Sequence, residues 1–223
     1  IRQGKKIKEC ADKTWGWNTA AGIFRVSRRV AEFTRYLNTD KKSKVLEIGC
    51  GTGIFTNNFY QRGICLIGID ISLDLLKKAK ERNPRIIFIQ ADAENLPFKE
   101  NIFDFVLGIS VLHHLTLRDA LRTIKSVLKV GGTIIFSEPN GINPQIFFQK
   151  RIGRIKNWVL DTPFESAFSR WQIENTLRQC GFEQISARPY EFLHPLTPKI
   201  LINFIRRIES LIEQMPFIKE MAG

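Results

Sequence analysis

The segment Val45–Thr56, VLEIGCGTGIFT, carries the densest chemical signal in this 223-residue chain. Gly49, Gly51 and Gly53 follow an apolar run at alternate positions, and a helical pattern comes next. Glycines so placed let the backbone turn sharply and let a ligand approach where a Cβ would stand in the way. Dinucleotide-binding turns use a similar device, but their spacing is GxGxxG, and here position 54 is Ile. Glu47 sits inside the apolar run just before the turn. A carboxylate there repels a pyrophosphate and suits a ligand that carries sulfonium and ammonium groups.

Two further acids stand at natural spacing behind the turn. Asp70 closes LIGIDIS, 17 residues after Gly53, where a carboxylate can accept hydrogen bonds from both hydroxyls of a ribose. Ile71 beside it can pack on an adenine face. Asp92, in QADAENLPF, is placed to accept from an adenine amino group, although an Asp closing a strand also serves as a helix N-cap. Further on, GISVLHHL holds His113 and His114, two of the three histidines. Either imidazole suits a general base, or a residue that caps or packs beneath the next helix. Glu138, in SEPN, can orient a substrate or pair with a basic residue of the N-terminal arm. Trp15 and Trp17, as WGW, read either as an aromatic lid or as plain packing, and His194 lies in the proline-bounded LHPLTP.

Positioning such residues takes a sheet. Short, almost continuously apolar runs at Lys44–Ile48, Cys65–Ile69, Ile86–Gln90, Phe103–Ile109 and Thr133–Ser137 predict strands buried on both faces. Helical patterns lie between them at Ile54–Arg62, Leu73–Arg82 and Leu117–Leu128. This alternation predicts an α/β fold with a doubly wound, mostly parallel sheet, whose ligands bind beyond the carboxyl ends of the strands. Before the sheet, Arg25–Leu37 puts Val26, Val30, Phe33 and Leu37 on one helical stripe. After it come expected helices at Gln145–Leu160, Trp171–Gln179 with Gly181 as its cap, and Lys199–Met215, with a sixth strand at Glu183–Phe192. We read one domain over 1–223: a helical arm (1–43), a cofactor-binding core (44–143), and substrate-side helices with a C-terminal strand (144–223).

At this level VLEIGCGTG resembles the glycine-rich first motif of class I S-adenosylmethionine-dependent methyltransferases, and GIDIS their ribose-binding second. ADAENLPF with FDFVLGISVLHHL, and LKVGGTIIFSEPN, resemble the motifs that follow. The likeness runs unbroken over residues 40–143. It is strongest to the methyltransferase type 11 group that includes the ubiquinone and menaquinone biosynthesis enzymes. It implies a Rossmann-like sheet, S-adenosylmethionine as cofactor, and Gly49, Gly51 and Gly53 around its methionine part, with Glu47 and Cys50 among the binding residues. It further implies Asp70 on the ribose, Asp92 and Ala93 on the adenine, and Ser110 near the sulfonium. Sheets of this family have seven strands, so with six in view the sequence is expected to end early or to depart from the family at its terminus.

Charge and composition narrow the partners. The net charge is +12, of which +8 lies in residues 1–44. That favours nucleic acid, an acidic membrane surface or an anionic substrate, or serves solubility alone. The segment after the fourth strand lacks both the Asn/Asp-Pro-Pro-aromatic signature and the Pro-Cys nucleophile of nucleic-acid methyltransferases. A small-molecule acceptor, anionic or lipid-linked, is therefore the expected partner; a nucleic acid or a non-catalytic cofactor-binding role is the alternative. FFQKRIGRIKNW (Phe147–Trp158) mixes aromatics with cations as an interfacial membrane helix does, or as a sheet-covering helix does. Scattered cysteines, with no clustered histidines, predict reduced thiols, no metal site and a cytoplasmic protein.

Overall fold

The computed structural model describes residues 11–38, 40, 42–143, 167–215, 220 and 222. Five apolar runs pair as β1 (Val45–Ile48), β2 (Leu66–Asp70), β3 (Ile87–Gln90), β4 (Phe103–Ile109) and β5 (Leu128–Ser137). Their order across the sheet is β3-β2-β1-β4-β5, and every pairing is parallel. All four residues of β1 are buried, as a central strand covered on both faces requires.

Helices α1 (Ala11–Thr14), α2 (Ala20–Tyr36), α3 (Ile54–Gln61), α4 (Leu73–Arg82), α5 (Leu117–Val127), α6 (Arg170–Gln179) and α7 (Lys199–Ile212) complete the described elements, with a 3-10 turn at Leu112–His114. The expected stripe of α2 does bury: Val26, Val30, Phe33 and Leu37 pack with Phe55 and Phe59 of α3 against one face of the sheet. Ile124 and Val127 of α5 cover the other face, with Leu46, Ile69 and Val106 beneath them. The Thr19 hydroxyl caps α2 by accepting from the Gly22 N–H at 2.9 Å, so the helix starts five residues ahead of the expected Arg25. Gly181, at φ +77°, follows α6 as expected.

Parallel register brings the strand ends to one edge. Ile48 pairs with Ile69, Asp70 with Gln90, and Ile109 with Ser137. Gly49, Asp70, Asp92, Ser110 and Glu138 therefore all lie at the carboxyl side of the sheet, the side where such sheets bind ligands.

Three expectations change. The segment Glu183–Phe192 forms no strand. Pro189 has no N–H to donate, and Gln184 and Glu191 adopt left-handed φ of 50° and 76°. The N–H groups of Glu191 and Phe192 are taken by the carboxylates of Glu213 and Glu209 rather than by β5. The described sheet thus has five strands where six were expected. Second, β5 opens at Leu128 rather than Thr133, through a register irregularity opposite Phe103–Phe105, which ends α5 at Val127. Third, α7 stops at Ile212. The expected helix Gln145–Leu160, and with it Phe147–Trp158, lies outside the described residues.

Candidate cofactor and acceptor site

Beyond β1 the chain turns through three left-handed glycines, Gly49, Gly51 and Gly53, at φ of 64°, 53° and 69°. A side chain at any of them would be strained. Their surroundings differ. A Cβ on Gly49 would overlap Val111, and one on Gly53 would stand 2.8 Å from the Ala79 Cβ of α4, so these two serve close packing. A Cβ on Gly51 would meet only the Trp15 ring, at 3.6 Å. Cys50 is buried with its Sγ towards Gly68, so it offers the turn its backbone rather than its thiol. Burial, with Glu47 and Asp70 nearby, pushes that thiol well above the usual range.

Two carboxylates flank the turn. Asp70 Oδ2 accepts from the Gly51 N–H at 2.9 Å and Oδ1 from the Ser72 N–H at 2.8 Å. Burial raises its pKa, and these backbone bonds oppose the rise. Glu47 is wholly buried, and its Oε2 has no hydrogen-bond partner. Burial pushes its pKa up to about 8; the nearby Thr56 hydroxyl opposes this without forming a hydrogen bond of good geometry, and the Asp70 charge adds to it. An unpartnered buried carboxylate is costly unless a ligand satisfies it.

The other expected residues sit around this centre. Ile71 is exposed beside Asp70, its side chain free to cover a flat ligand. Asp92 does not cap a helix: its Oδ1 accepts from the Glu94 N–H at 2.9 Å within its own loop, with Ala93 buried behind it. Ser110 holds a left-handed φ of 55° and donates its N–H to the Ser137 carbonyl at 2.8 Å. Non-glycine residues forced into that region cluster at functional sites.

On the β4–β5 side, Glu138 holds the turn after β4. Its Oε1 accepts from the N–H groups of Val111 and Leu112 at 3.0 and 2.9 Å, and its Oε2 lies 2.7 Å from His113 Nδ1. His113 is buried, whereas His114 is exposed with its ring 4.0 Å from that of His113. The two histidines are therefore not equivalent.

Sequence reasoning missed what the arm does. The Thr52 hydroxyl donates to Asp12 at 2.5 Å, and Arg82 bridges Asp12 to the Thr52 carbonyl and hydroxyl. This cluster pins α1 to the glycine turn and sets Trp15 over it. Trp17 instead packs edge-on against Phe55, under Arg25 and Arg29. Three arginines of α2 pair with glutamates from far along the chain. Arg25 and Arg29 share Glu191 at 2.9 and 2.7 Å, and Arg28 holds Glu209 and Glu213. Burial alone would lower the Arg29 pKa; Glu191 turns the shift upward, so the guanidinium stays charged. No local pattern signals such pairs, because the partners lie more than 160 residues apart. Beside them a cavity of about 240 Å³ is lined by Tyr190 and by three arginines, Arg28, Arg170 and Arg188, each ion-paired with a glutamate of the same wall: Glu213, Glu220 and Glu32. Tyr190 Oη lies 2.9 Å from Ser137 Oγ, which ties the cavity wall to the residue before Glu138. Among the described residues no cluster fit to hold a metal ion is present, and no helix is long and apolar enough to cross a membrane.

The chain has known likenesses. A family model for a methyltransferase domain matches residues 46–136. An uncharacterized methyltransferase of Synechocystis sp. is 32% identical over 162 residues, which are 66% of this chain and 70% of that protein. A demethylmenaquinone methyltransferase of Paenarthrobacter aurescens is 36% identical over 96 residues, 43% of this chain and only 38% of the relative's length. Among solved structures, a S-adenosylmethionine-dependent methyltransferase of Thermotoga maritima, described as a possible histamine N-methyltransferase, superposes with a TM-score of 0.70. It covers 86% of this chain and 87% of its own, and at 23% identity it speaks for the fold alone.

Proposed function

The chain belongs to the class I S-adenosylmethionine-dependent methyltransferases, and we propose that it transfers the cofactor's methyl group to a small-molecule or lipid-precursor acceptor. The observation that carries this reading is the buried Glu47 with an unpartnered oxygen beside a turn of left-handed glycines. A buried acid in that place suits a cationic cofactor. When bound, S-adenosylmethionine supplies an electrophilic methyl on a sulfonium, which an acceptor atom attacks in line.

The chain's residues do the rest. Asp70 accepts from the ribose hydroxyls, and Ile71 covers the adenine, whose amino group faces Asp92 and Ala93. Gly49, Cys50 and Gly51 present backbone to the methionine part, with Glu47 beneath it and Ser110 at its other side. Holding acceptor and methyl in line is itself worth on the order of 7–11 kcal/mol in favourable cases. His113, its Nδ1 held by Glu138, keeps Nε2 to take a proton from a hydroxyl or an acidic carbon. The nucleic-acid alternative draws little from α2, since its Arg25, Arg28, Arg29 and Arg35 all stand in ion pairs.

Calorimetric titration with S-adenosylmethionine, its demethylated product and NAD tests the reading. Micromolar binding of the first two and none of NAD is expected; NAD binding in their place overturns it. Acceptor screening then starts with anionic and lipid-linked compounds.

A further inference from the structure

Helix α7 buries one face and leaves a second apolar face uncovered. Inward, Ile202 packs with Ala21 and Leu193, with Phe24 and Ile205 beside them. Outward, Ile200 is 87% exposed, Phe204 and Leu211 are each 62% and Met215 is 47%, at helical spacing along one stripe, with Leu196 at 62% just before the helix. A solvated helix puts polar side chains on its outer face. Arg207 falls within this stripe, and the large apolar side chains on either side of it mark a surface made to be covered.

Charge selects what covers it. Both acids at this helix point inward: Glu209 is buried on Arg28 and accepts from the Phe192 and Leu193 N–H groups, while Glu213 holds Arg28 and accepts from the Glu191 N–H. Lys199, Arg206 and Arg207 are on the surface, Arg206 lying over the Phe24 ring at 4.0 Å. Besides its apolar residues and Asn203, the helix therefore shows solvent positive charge and, among its described residues, no exposed acid, on a chain of net charge +12. Pairing with a second copy would set like charges against each other. We propose that α7 docks on an anionic lipid surface, its Ile200–Met215 stripe entering the acyl boundary while its cations meet the headgroup phosphates.

This inference stands on α7 and not on the methyl-transfer reading. Combined with that reading, it makes the acceptor a lipid-resident molecule, because α7 packs on α2, whose Arg28 lines the cavity.

Sedimentation with vesicles of phosphatidylglycerol and phosphatidylcholine in equal parts, against phosphatidylcholine alone, tests it at low salt. The wild-type chain should partition onto the anionic vesicles. An Ile200→Glu, Phe204→Glu variant should bind at least about tenfold more weakly, since two large apolar side chains no longer insert. Both positions are exposed, so the variant keeps its fold; unchanged thermal unfolding and S-adenosylmethionine titration check this. Absence of wild-type binding overturns the proposal, as does a variant that binds like wild type. A concentration-dependent dimer, seen by light scattering without vesicle binding and lost in the variant, also overturns it, in favour of a second copy. Vesicle binding without cofactor binding would instead sink the methyl-transfer reading and leave this one standing.

Discussion

The Nδ1 of His113 lies 2.7 Å from Oε2 of Glu138, and the other oxygen of that carboxylate accepts from the Val111 and Leu112 N–H groups. One side chain at the end of β5 thus fixes both the path of the turn after β4 and the tautomer of its histidine. A ring that donates through Nδ1 keeps its Nε2 lone pair for a proton.

For an acceptor that must lose a proton, His113→Ala should lower kcat by roughly 100-fold or more, as loss of a general base does, with cofactor affinity unchanged. Glu138→Gln should lower kcat as well, because the amide either flips the ring's tautomer or loosens the turn. His114→Ala, at an exposed position, should leave kcat within about twofold. Steady-state kinetics beside calorimetry of the cofactor separates these cases. Full activity in His113→Ala would remove the residue from the mechanism.

Asp70→Ala should weaken S-adenosylmethionine binding by roughly 100-fold, because two hydrogen bonds to a charged group are lost together. The glycine turn also loses an acceptor, since the Gly51 N–H is bound to this carboxylate. Asp70→Asn keeps the size and part of the hydrogen bonding, so its loss should be smaller. Equal affinity for wild type and Asp70→Ala, measured by calorimetry, would refute the ribose assignment.

Glu47 gives a pH prediction. Its folded pKa of about 8 lies above the ordinary carboxylate value of 4.5. The folded state therefore binds more protons than the unfolded state between those values. Its contribution to stability is fully present below pH 4.5 and is lost as pH rises through about 8. Glu47→Gln should flatten that fall in urea denaturation series. In binding the sign is opposite: a cationic ligand favours the ionised form, so cofactor affinity should rise with pH towards about 8 and protons should be released on binding. Calorimetry in buffers of different ionisation enthalpy counts them. Zero proton release near neutral pH would separate Glu47 from the cofactor.

The sheet edge was legible in the sequence because its signals are local. An apolar run, a glycine triplet and an acid closing the next strand each fall within a dozen residues. The parallel register then places Gly49, Asp70 and Ser110 together without further information. Glu138 was legible as a site residue, but its partner was not, because His113 lies 25 residues away and the basic arm offered equally suitable partners. Glu183–Phe192 reads as a strand from its alternation alone. The side-chain carboxylates of Glu209 and Glu213, which claim its N–H groups, come from a helix whose docking no local pattern encodes. The Asp12–Arg82–Thr52 cluster is another such long-range meeting, and it was missed for the same reason.

Gly49 and Gly63 separate backbone strain from crowding. Both are left-handed, at φ 64° and 83°, and both should lose about 1–2 kcal/mol on substitution by Ala for that reason. A Cβ at Gly63 meets nothing within 4 Å, so Gly63→Ala should stop there and keep its activity. A Cβ at Gly49 would overlap the Val111 side chain and stand 2.8 Å from its Cβ. Val111 cannot retreat freely, because its N–H is bound to Glu138. Gly49→Ala should therefore cost about 1–3 kcal/mol more than Gly63→Ala and displace the His113 turn, lowering kcat as well. Adding Val111→Ala to Gly49→Ala removes the overlapping methyls, so the pair should recover part of both losses, a coupling that urea denaturation and kinetics read independently. If the double variant were as damaged as the sum of the single ones, the crowding argument would fail and only the strain at φ 64° would remain.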